Sequence, residues 1–364
     1  MKRRKFLKAA GFGLAASTIA APAIAQSPSN PEIKWRLAAS WPKSLEALWG
    51  GVDLIAKRVA AATDGKFQIT PSAAGEIVPA LQVLDAVQNG TVELGHTASY
   101  YYVGKDPAFA FDTVLPFGLN ARQQNAWMYH GGGIELMREF FTGYGIRQIP
   151  AGNTGAQMAG WFRKEIKSVK DLNGLKFRMG GIAGQIMTKL GVVPQQIAAP
   201  DIYPALEKGT IDAAEWVGPY DDERLGLQKV AKYYYYPGWA EGSAQLSLYV
   251  NQKQWDSLPA NYKAVLEAAC GDVNVWMLAK YDAQNPAALK RLVANGAQLR
   301  AFNKDILNAL YKASSELYAE IAAKNDKFKK IYDQWDAFRT EEFLWFRVAE
   351  NSYDNFVFTA GAKK

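Results

Sequence analysis

The 364-residue chain is poor in the side chains on which most metal and nucleophile chemistry is built. It has one cysteine, Cys270, and two histidines, His96 and His130. A single thiol excludes an intramolecular disulfide and a thiolate metal cluster, and two imidazoles leave little material for a histidine zinc site or a catalytic triad. No P-loop, G-x-S-x-G elbow or H-E-x-x-H motif occurs after residue 25. A long apolar run is also missing, because the uncharged stretch Ala9–Ala25 is short and only mildly hydrophobic, a poor membrane-spanning helix. Excess charge of one sign is scarce once it is located. The chain carries 42 Lys+Arg against 35 Asp+Glu, a formal +7 that would suit a polyanion partner. Five of those charges sit on Lys2, Arg3, Arg4, Lys5 and Lys8 with no acid among them, which leaves +2 on the rest of the chain. With 49% hydrophobic and 21% charged residues, 31 Gly and 16 Pro, the composition excludes disordered, collagen-like and low-complexity classes.

Residues 1–25 read as an export signal. A basic Met1–Lys8 precedes an Ala/Gly-rich stretch that ends Ala23-Ile24-Ala25 before Gln26, a small-x-small cleavage pattern. Arg3-Arg4-Lys5-Phe6-Leu7-Lys8 resembles a twin-arginine signal, with Lys2 where Ser or Thr is usual. Such signals are receptor-read addresses, and this one predicts a bacterial periplasmic protein exported already folded.

Beyond the signal the length suits about two domains of roughly 150 residues. Apolar periodicity predicts a strand at Trp35–Ala39, an amphipathic helix at Leu45–Ala62 and a second strand at Phe67–Thr70 after the Asp64-Gly65 turn. Strand–helix–strand at this spacing is a βαβ unit, so an α/β fold with a parallel or mixed sheet is expected. An internal repeat adds to this. Ala86-Val87-Gln88-Asn89-Gly90-Thr91-Val92-Glu93-Leu94-Gly95 matches Ala205-Leu206-Glu207-Lys208-Gly209-Thr210-Ile211-Asp212-Ala213-Ala214. Each reads as a helix end, a glycine cap and a short strand. Two lobes on one local plan imply a cleft between them, where ligands usually bind. From Asn303 onward the pattern is helical, and Lys327–Glu350 carries so many aromatics that it needs a partner face, either the protein body or a second subunit.

The segment Trp161–Trp216 carries a signature. Asp171-Leu172-Asn173-Gly174-Leu175-Lys176-Phe177-Arg178 is followed by Ala205-Leu206-Glu207-Lys208-Gly209-Thr210-Ile211-Asp212-Ala213-Ala214-Glu215-Trp216. The pair resembles the periplasmic solute receptors of tripartite ATP-independent periplasmic (TRAP) transporters, and the resemblance covers essentially the whole chain after the signal. Gln157, Glu215-Trp216 and the aromatic C-terminal extension are similar to the branch that binds 2-oxo acids such as pyruvate. The resemblance implies a two-lobed periplasmic binding protein (type II-like) with hinge strands and a long C-terminal helix. On this plan residues 26–155 form the first lobe with a returning segment around 246–300, and residues 156–245 form the second. Residues 303–350 are then a helical segment and a candidate dimerisation helix, giving a homodimer. The membrane permease would be the receptor's partner.

The resemblance also implies that Arg178 forms a bidentate salt bridge with the ligand carboxylate, for which the planar guanidinium fork is suited. Glu215 beside an anionic ligand in a dry cleft would repel it or take up a proton, and a bound cation removes that conflict. Gln157, Glu215 and the Trp216 carbonyl are the expected metal ligands, a hard-oxygen set that suits Na⁺ first and Ca²⁺ second. Calcium would leave an excess positive charge unless another acid such as Glu241 reaches the ion. The candidate substrate-binding residues are Arg178, Gln157, Tyr101, Tyr102, Trp216 and Glu241. Asn153, Thr154, Trp239 and Gln245 are further candidates for the cleft wall, with Tyr100 alongside Tyr101 and Tyr102. His96 and His130 read as structural, and Tyr233–Tyr236 as a half-buried strand. The function expected is capture of a small 2-oxo monocarboxylate without catalysis. The alternatives are the same fold on lactate or a dicarboxylate, and a periplasmic enzyme acting on small carboxylates.

Overall fold

The computed structural model describes residues 30–361, so the export signal read over residues 1–25 lies outside the described residues. The strands are β1 (Ile33–Ala39), β2 (Phe67–Ser72), β3 (Leu94–Thr97), β4 (Ile146–Asn153), β5 (Gly160–Phe162), β6 (Lys176–Arg178), β7 (Val193–Gln195), β8 (Ala213–Ala214), β9 (Tyr233–Tyr236), β10 (Gln245–Asn251) and β11 (Gln298–Ala301). They form two sheets, ordered β2-β1-β3-β10-β4 and β11-β9-β5-β8-β6-β7.

The two sheets share one plan. In the first, β1 lies parallel between β2 and β3, and β10 runs antiparallel between β3 and β4. In the second, β6 lies parallel between β7 and β8, and β5 runs antiparallel between β8 and β9. The sequence repeat marks the equivalent corner of each. Gly90 and Gly209 take left-handed backbone at φ 74° and 70°, which only glycine adopts without strain. The same closing bonds come after each glycine: Thr91 N donates to Ala86 O at 2.8 Å, and Thr210 N to Ala205 O at 2.9 Å. β3 and β8 then enter their sheets beside β1 and β6.

Two short crossings join the sheets, from β4 to β5 and from β9 to β10, and each ends in the antiparallel strand of the sheet it enters. The crossings bond to each other, with Thr154 N donating to Ala244 O at 3.0 Å and Gln157 N to Glu241 O at 3.0 Å. This is the two-lobed α/β architecture with hinge segments that the sequence reading expects.

One detail of the returning segment differs. It begins in the first sheet as β10, but its end, β11, pairs in parallel with β9 of the second. The helix Ala260–Ala294 between them is the reason. At 35 residues and 1.5 Å per residue it is about 50 Å long, and it packs on β4 at one end and on the helix Pro219–Leu225 at the other.

The C-terminal region forms helices Lys304–Ala322, Asp326–Val348 and Glu350–Gly361, so the helical segment expected over 303–350 breaks twice and runs further. Its first half is body: Phe328, Ile331 and Trp335 are buried, and Phe111 meets the Phe328 and Trp335 rings at 4.8 and 6.0 Å. Its second half is bare. Phe343, Leu344, Trp345, Val348, Tyr353, Phe356 and Phe358 are 37–72% exposed.

A buried carboxyl pins the first lobe together. Asp112 accepts from Gln148 Nε2 at 2.6 Å, Gln245 Nε2 at 3.1 Å, Ser247 Oγ at 2.7 Å and Ser99 Oγ. These donors come from β4, β10 and the turn just past β3. Burial nevertheless pushes the Asp112 carboxyl up to about 6. A native-state value above the unfolded one means that the folded state holds the proton longer, so this group's contribution falls as pH rises from about 4 through about 6. The variant Asp112→Asn lacks that slope. Denaturant unfolding of wild type and variant at pH 4 and pH 7 should show the stability difference moving in the variant's favour by about 2 kcal/mol at the higher pH.

Candidate functional site

The carboxyl ends of β3, β6 and β8 face the crossings, the position at which open α/β sheets hold ligands. Arg178 is the last residue of β6, in register with Gln195 on one side and Ala214 on the other. Its side chain is 1% exposed. Nε donates to Ile197 O at 3.1 Å, and Nη1 donates to the main-chain oxygen of Glu215 and to its Oε2 at 3.2 Å. The guanidinium carbon lies 4.8 Å from the centre of the Trp216 ring. Burial pushes the Tyr101 hydroxyl up to about 12 with Arg178 opposing it, and the Tyr100 ring sits 5.0 Å from its own. Tyr100 can approach the second lobe because Gly180 and Gly181 stand there, where a Cβ would come within 2.9 and 2.5 Å of the tyrosine.

Glu215 and Trp216 come directly after β8, and Gln157 reaches them from the first crossing. The Gln157 amide has Glu215 Oε1 at 2.8 Å and the Trp216 carbonyl at 3.0 Å on one side, with Thr154 Oγ1 at 3.0 Å on the other. With its nitrogen toward the acid, the amide donates to both oxygens and accepts from Thr154. With its oxygen toward the acid, three oxygens converge, an arrangement that calls for a cation between them or a proton on Glu215. From the second crossing Glu241 enters the same buried space, with Oε2 lacking a partner.

Charge is unbalanced here. Glu215 and Glu241 are buried at 0–1% exposure beside the one guanidinium of Arg178, and Asp221 and Asp222 are equally buried on the segment that follows Trp216. Burial and the neighbouring Glu241 push the Glu215 carboxyl well above the usual range, with Arg178 opposing them. Burial pushes Glu241 up to about 8, also against Arg178. Burial works against the charge of Arg178, but Glu215, Tyr101, Tyr100 and Glu241 together outweigh it and raise the pKa above its ordinary value. Among the described residues no cluster of three or more His, Cys, Asp or Glu side chains is arranged to hold a metal, so the donors here are an amide, a carbonyl and a carboxylate.

Next to this polar centre lies a tight cavity, about 10 Å³ and so no larger than one water, lined by Trp41, Leu48, Tyr100, Tyr101, Trp216 and Leu246 among others. None of its lining residues carries a formal charge. Trp41 is held by His96, whose Nδ1 accepts from the indole at 2.8 Å while Nε2 donates to Ala151 O at 2.9 Å. Burial draws the His96 ring down to about 4, so it stays neutral. His130 is exposed at the end of its helix.

Of the residues singled out in the sequence, Arg178, Gln157, Tyr101, Trp216, Glu215 and Glu241 come together, joined by Tyr100 and Thr154. Tyr102 does not. The Ser99–Tyr102 turn is a 3₁₀ helix, whose three residues per turn send successive side chains in different directions. Tyr102 therefore points into the lobe, its hydroxyl accepting from Leu84 N at 3.1 Å and sharing a hydrogen bond with Thr97 Oγ1 at 3.1 Å. Trp239 packs on Phe117 and Gln245 on Asp112, outside the cavity lining. Asn153 turns back to cap Gly155 N at 2.9 Å. The sequence reading missed Trp41, Asp221 and Asp222. Their signal was their position just past the carboxyl ends of β1 and β8.

A family model described as bacterial extracellular solute-binding protein, family 7 (DctP), matches residues 38–325. A monocarboxylate 2-oxoacid-binding periplasmic protein of Nostoc sp. is 51% identical over 360 residues, 98% of this chain and 99% of that protein. A TRAP transporter solute binding protein from Bordetella bronchiseptica is 56% identical with a TM-score of 0.91, covering 92% of this chain and 99% of its own. It crystallised as a mixed-occupancy dimer, with copurified calcium and picolinate in one active site and the other site apo. A TRAP periplasmic solute binding protein from Pseudoalteromonas atlantica, with bound sodium and pyruvate, is 41% identical at a TM-score of 0.86, over 88% of this chain and 98% of its own.

Proposed function

The chain belongs to bacterial extracellular solute-binding protein family 7, and from that premise we propose that it is the periplasmic receptor of a TRAP transporter for a small 2-oxo monocarboxylate such as pyruvate. The observation that carries this reading is a buried Arg178 beside a convergent oxygen cluster, opening on a cavity whose walls carry no charge. Arg178 takes the ligand carboxylate, with Tyr101 helping to orient it, and the 2-oxo group faces Gln157 and Glu215. The uncharged wall around Trp41 and Leu246 takes the remaining carbon chain. A dicarboxylate would bury its second charge without a partner, at a cost of several kcal/mol per ion.

The donor chemistry fits a cation held by Gln157, Glu215 and the Trp216 carbonyl. When bound there it neutralises the carboxylate excess and presents positive charge to the ligand oxygens. Charge counting favours sodium while Glu241 is neutral, and calcium when Glu241 is ionised. The Gln157 amide suits both states of the site, donating to the acid when no ion is present and turning its oxygen inward when one is.

The family is one of receptors, and capture asks no chemical step of these residues. Closure of the lobes is a shift toward a conformation the ligand prefers, and its extent is limited by the ligand's differential affinity. The closed receptor then delivers its load to the membrane permease. The export signal read at Arg3-Arg4 accounts for the route to the periplasm. The bare aromatic face from Phe343 onward supports a homodimer through the C-terminal helices, in line with the dimeric Bordetella relative.

Replacing Arg178 by Ala leaves Glu215 and Glu241 without their counter-charge and should cost about 2–5 kcal/mol of pyruvate binding in calorimetry. An unchanged affinity overturns the assignment. In sodium-free buffer treated with a chelator, pyruvate affinity should fall by about tenfold or more, and added Na⁺ or Ca²⁺ should restore it. A chain ending at Glu342 keeps the buried Trp335 but loses the bare face. Light scattering should find it monomeric with its unfolding midpoint largely retained, while a dimer of unchanged mass per subunit pair would exclude this interface.

A further inference from the structure

Trp216 forms part of the wall on which the arginine rests. Its ring lies 4.8 Å from the Arg178 guanidinium carbon and 6.4 Å, edge to face, from Trp41. The orientation of this indole therefore sets where the guanidinium sits. Yet Trp216 Nε1 is buried and has no hydrogen-bond partner of good geometry.

Asp221 stands five residues later, in the first turn of the helix Pro219–Leu225, and is 0% exposed. Its Oδ2 accepts from the Tyr281 hydroxyl at 2.7 Å, while Oδ1 is buried with no partner of its own. Burial pushes the Asp221 carboxyl up to about 7, with Tyr281 and, more weakly, Trp216 opposing it, so the indole stands beside the carboxyl without a formed bond. A buried donor without an acceptor and a buried acceptor without a donor thus meet at one place. Each is costly while unpaired, so a small rotation that joins them is favourable. The adjacent Asp222 is not equivalent. Its oxygens are already taken by Trp161 Nε1 at 3.0 Å, Tyr234 OH at 2.7 Å and Val217 N at 3.3 Å.

We propose that Asp221 is a positioning residue for anion capture, its carboxyl bridging the Tyr281 hydroxyl and the Trp216 indole N–H so that the Trp216 ring is fixed beneath Arg178. Tyr281 belongs to the long helix Ala260–Ala294, which packs on both lobes, so the bridge ties the seating of that helix to the arginine. Asp221 itself touches no ligand. Its effect on affinity passes through the indole.

The indole N–H resonance of Trp216, assigned with Trp216→Phe, reads the bridge directly in nitrogen-15 spectra of the full chain. In the wild type it should lie downfield and exchange slowly, as expected of an N–H held by a carboxylate. In Asp221→Leu it should move upfield, with pyruvate Kd raised about tenfold. Tyr281→Phe keeps the carboxyl and the packing, and should move the resonance less and raise Kd about threefold. A wild-type resonance without these features overturns the bridge, as does one that stays in place in both variants. A displaced resonance with unchanged Kd overturns the positioning role. The affinity arm rests on the proposed ligand. If wild-type protein fails to bind pyruvate, that reading falls, and the indole resonance still decides the bridge.

Discussion

One guanidinium is buried with two carboxyl groups at the junction of the two sheets, and much of the molecule is arranged around that imbalance. Arg178 is paired with Glu215 while Glu241 stands near both, and Asp221 and Asp222 are buried on the segment that follows Trp216. Burial raises the pKa of each carboxyl, so the centre holds protons or takes in positive charge. In the proposed reading the ligand-free site relies on a turned amide and retained protons, and the loaded site exchanges both for a cation and an anion. Capture then becomes the completion of a charge set that the chain alone leaves open.

The fold brings these groups together because the same corner was built twice. β3 and β8 leave equivalent glycine-capped helix ends and run beside equivalent parallel strands. Past their carboxyl ends the two lobes diverge: β3 leads to the tyrosine turn, β8 to Glu215 and Trp216. The two crossings that stitch the sheets supply the rest, Gln157 from one and Glu241 from the other. A site assembled from two strand ends and two crossings is remade each time the lobes move. That geometry suits a receptor better than a rigid catalytic centre.

Legibility of the sequence tracked distance along the chain. The βαβ start, the Gly90 and Gly209 corners and the late helices rest on neighbours a few residues apart, and their spacing announces them. The split at Ala349 and the placement of β11 beside β9 depend on packing partners far away in sequence. Arg178, Gln157, Glu215 and Trp216 were legible through motif resemblance. Tyr102 was misread because three consecutive tyrosines look alike until a 3₁₀ turn sends them in different directions. Trp41 and Asp221 belonged to no motif and had only their place past a strand end, since the residues that hold them, His96 and Tyr281, lie 55 and 60 positions away.

The amino-acid sequence by itself determined the near-neutral charge of the chain past its basic first eight residues, the alternation of strands and helices, the repeated glycine corner and the hard-oxygen donors. All of these are set by composition or by local backbone preference. Only the tertiary structure decided which tyrosine faces the cleft, which acids share the interior with Arg178, and which half of the aromatic C-terminal segment is core. Those outcomes depend on burial, and burial is a property of surfaces that meet only when the chain has folded.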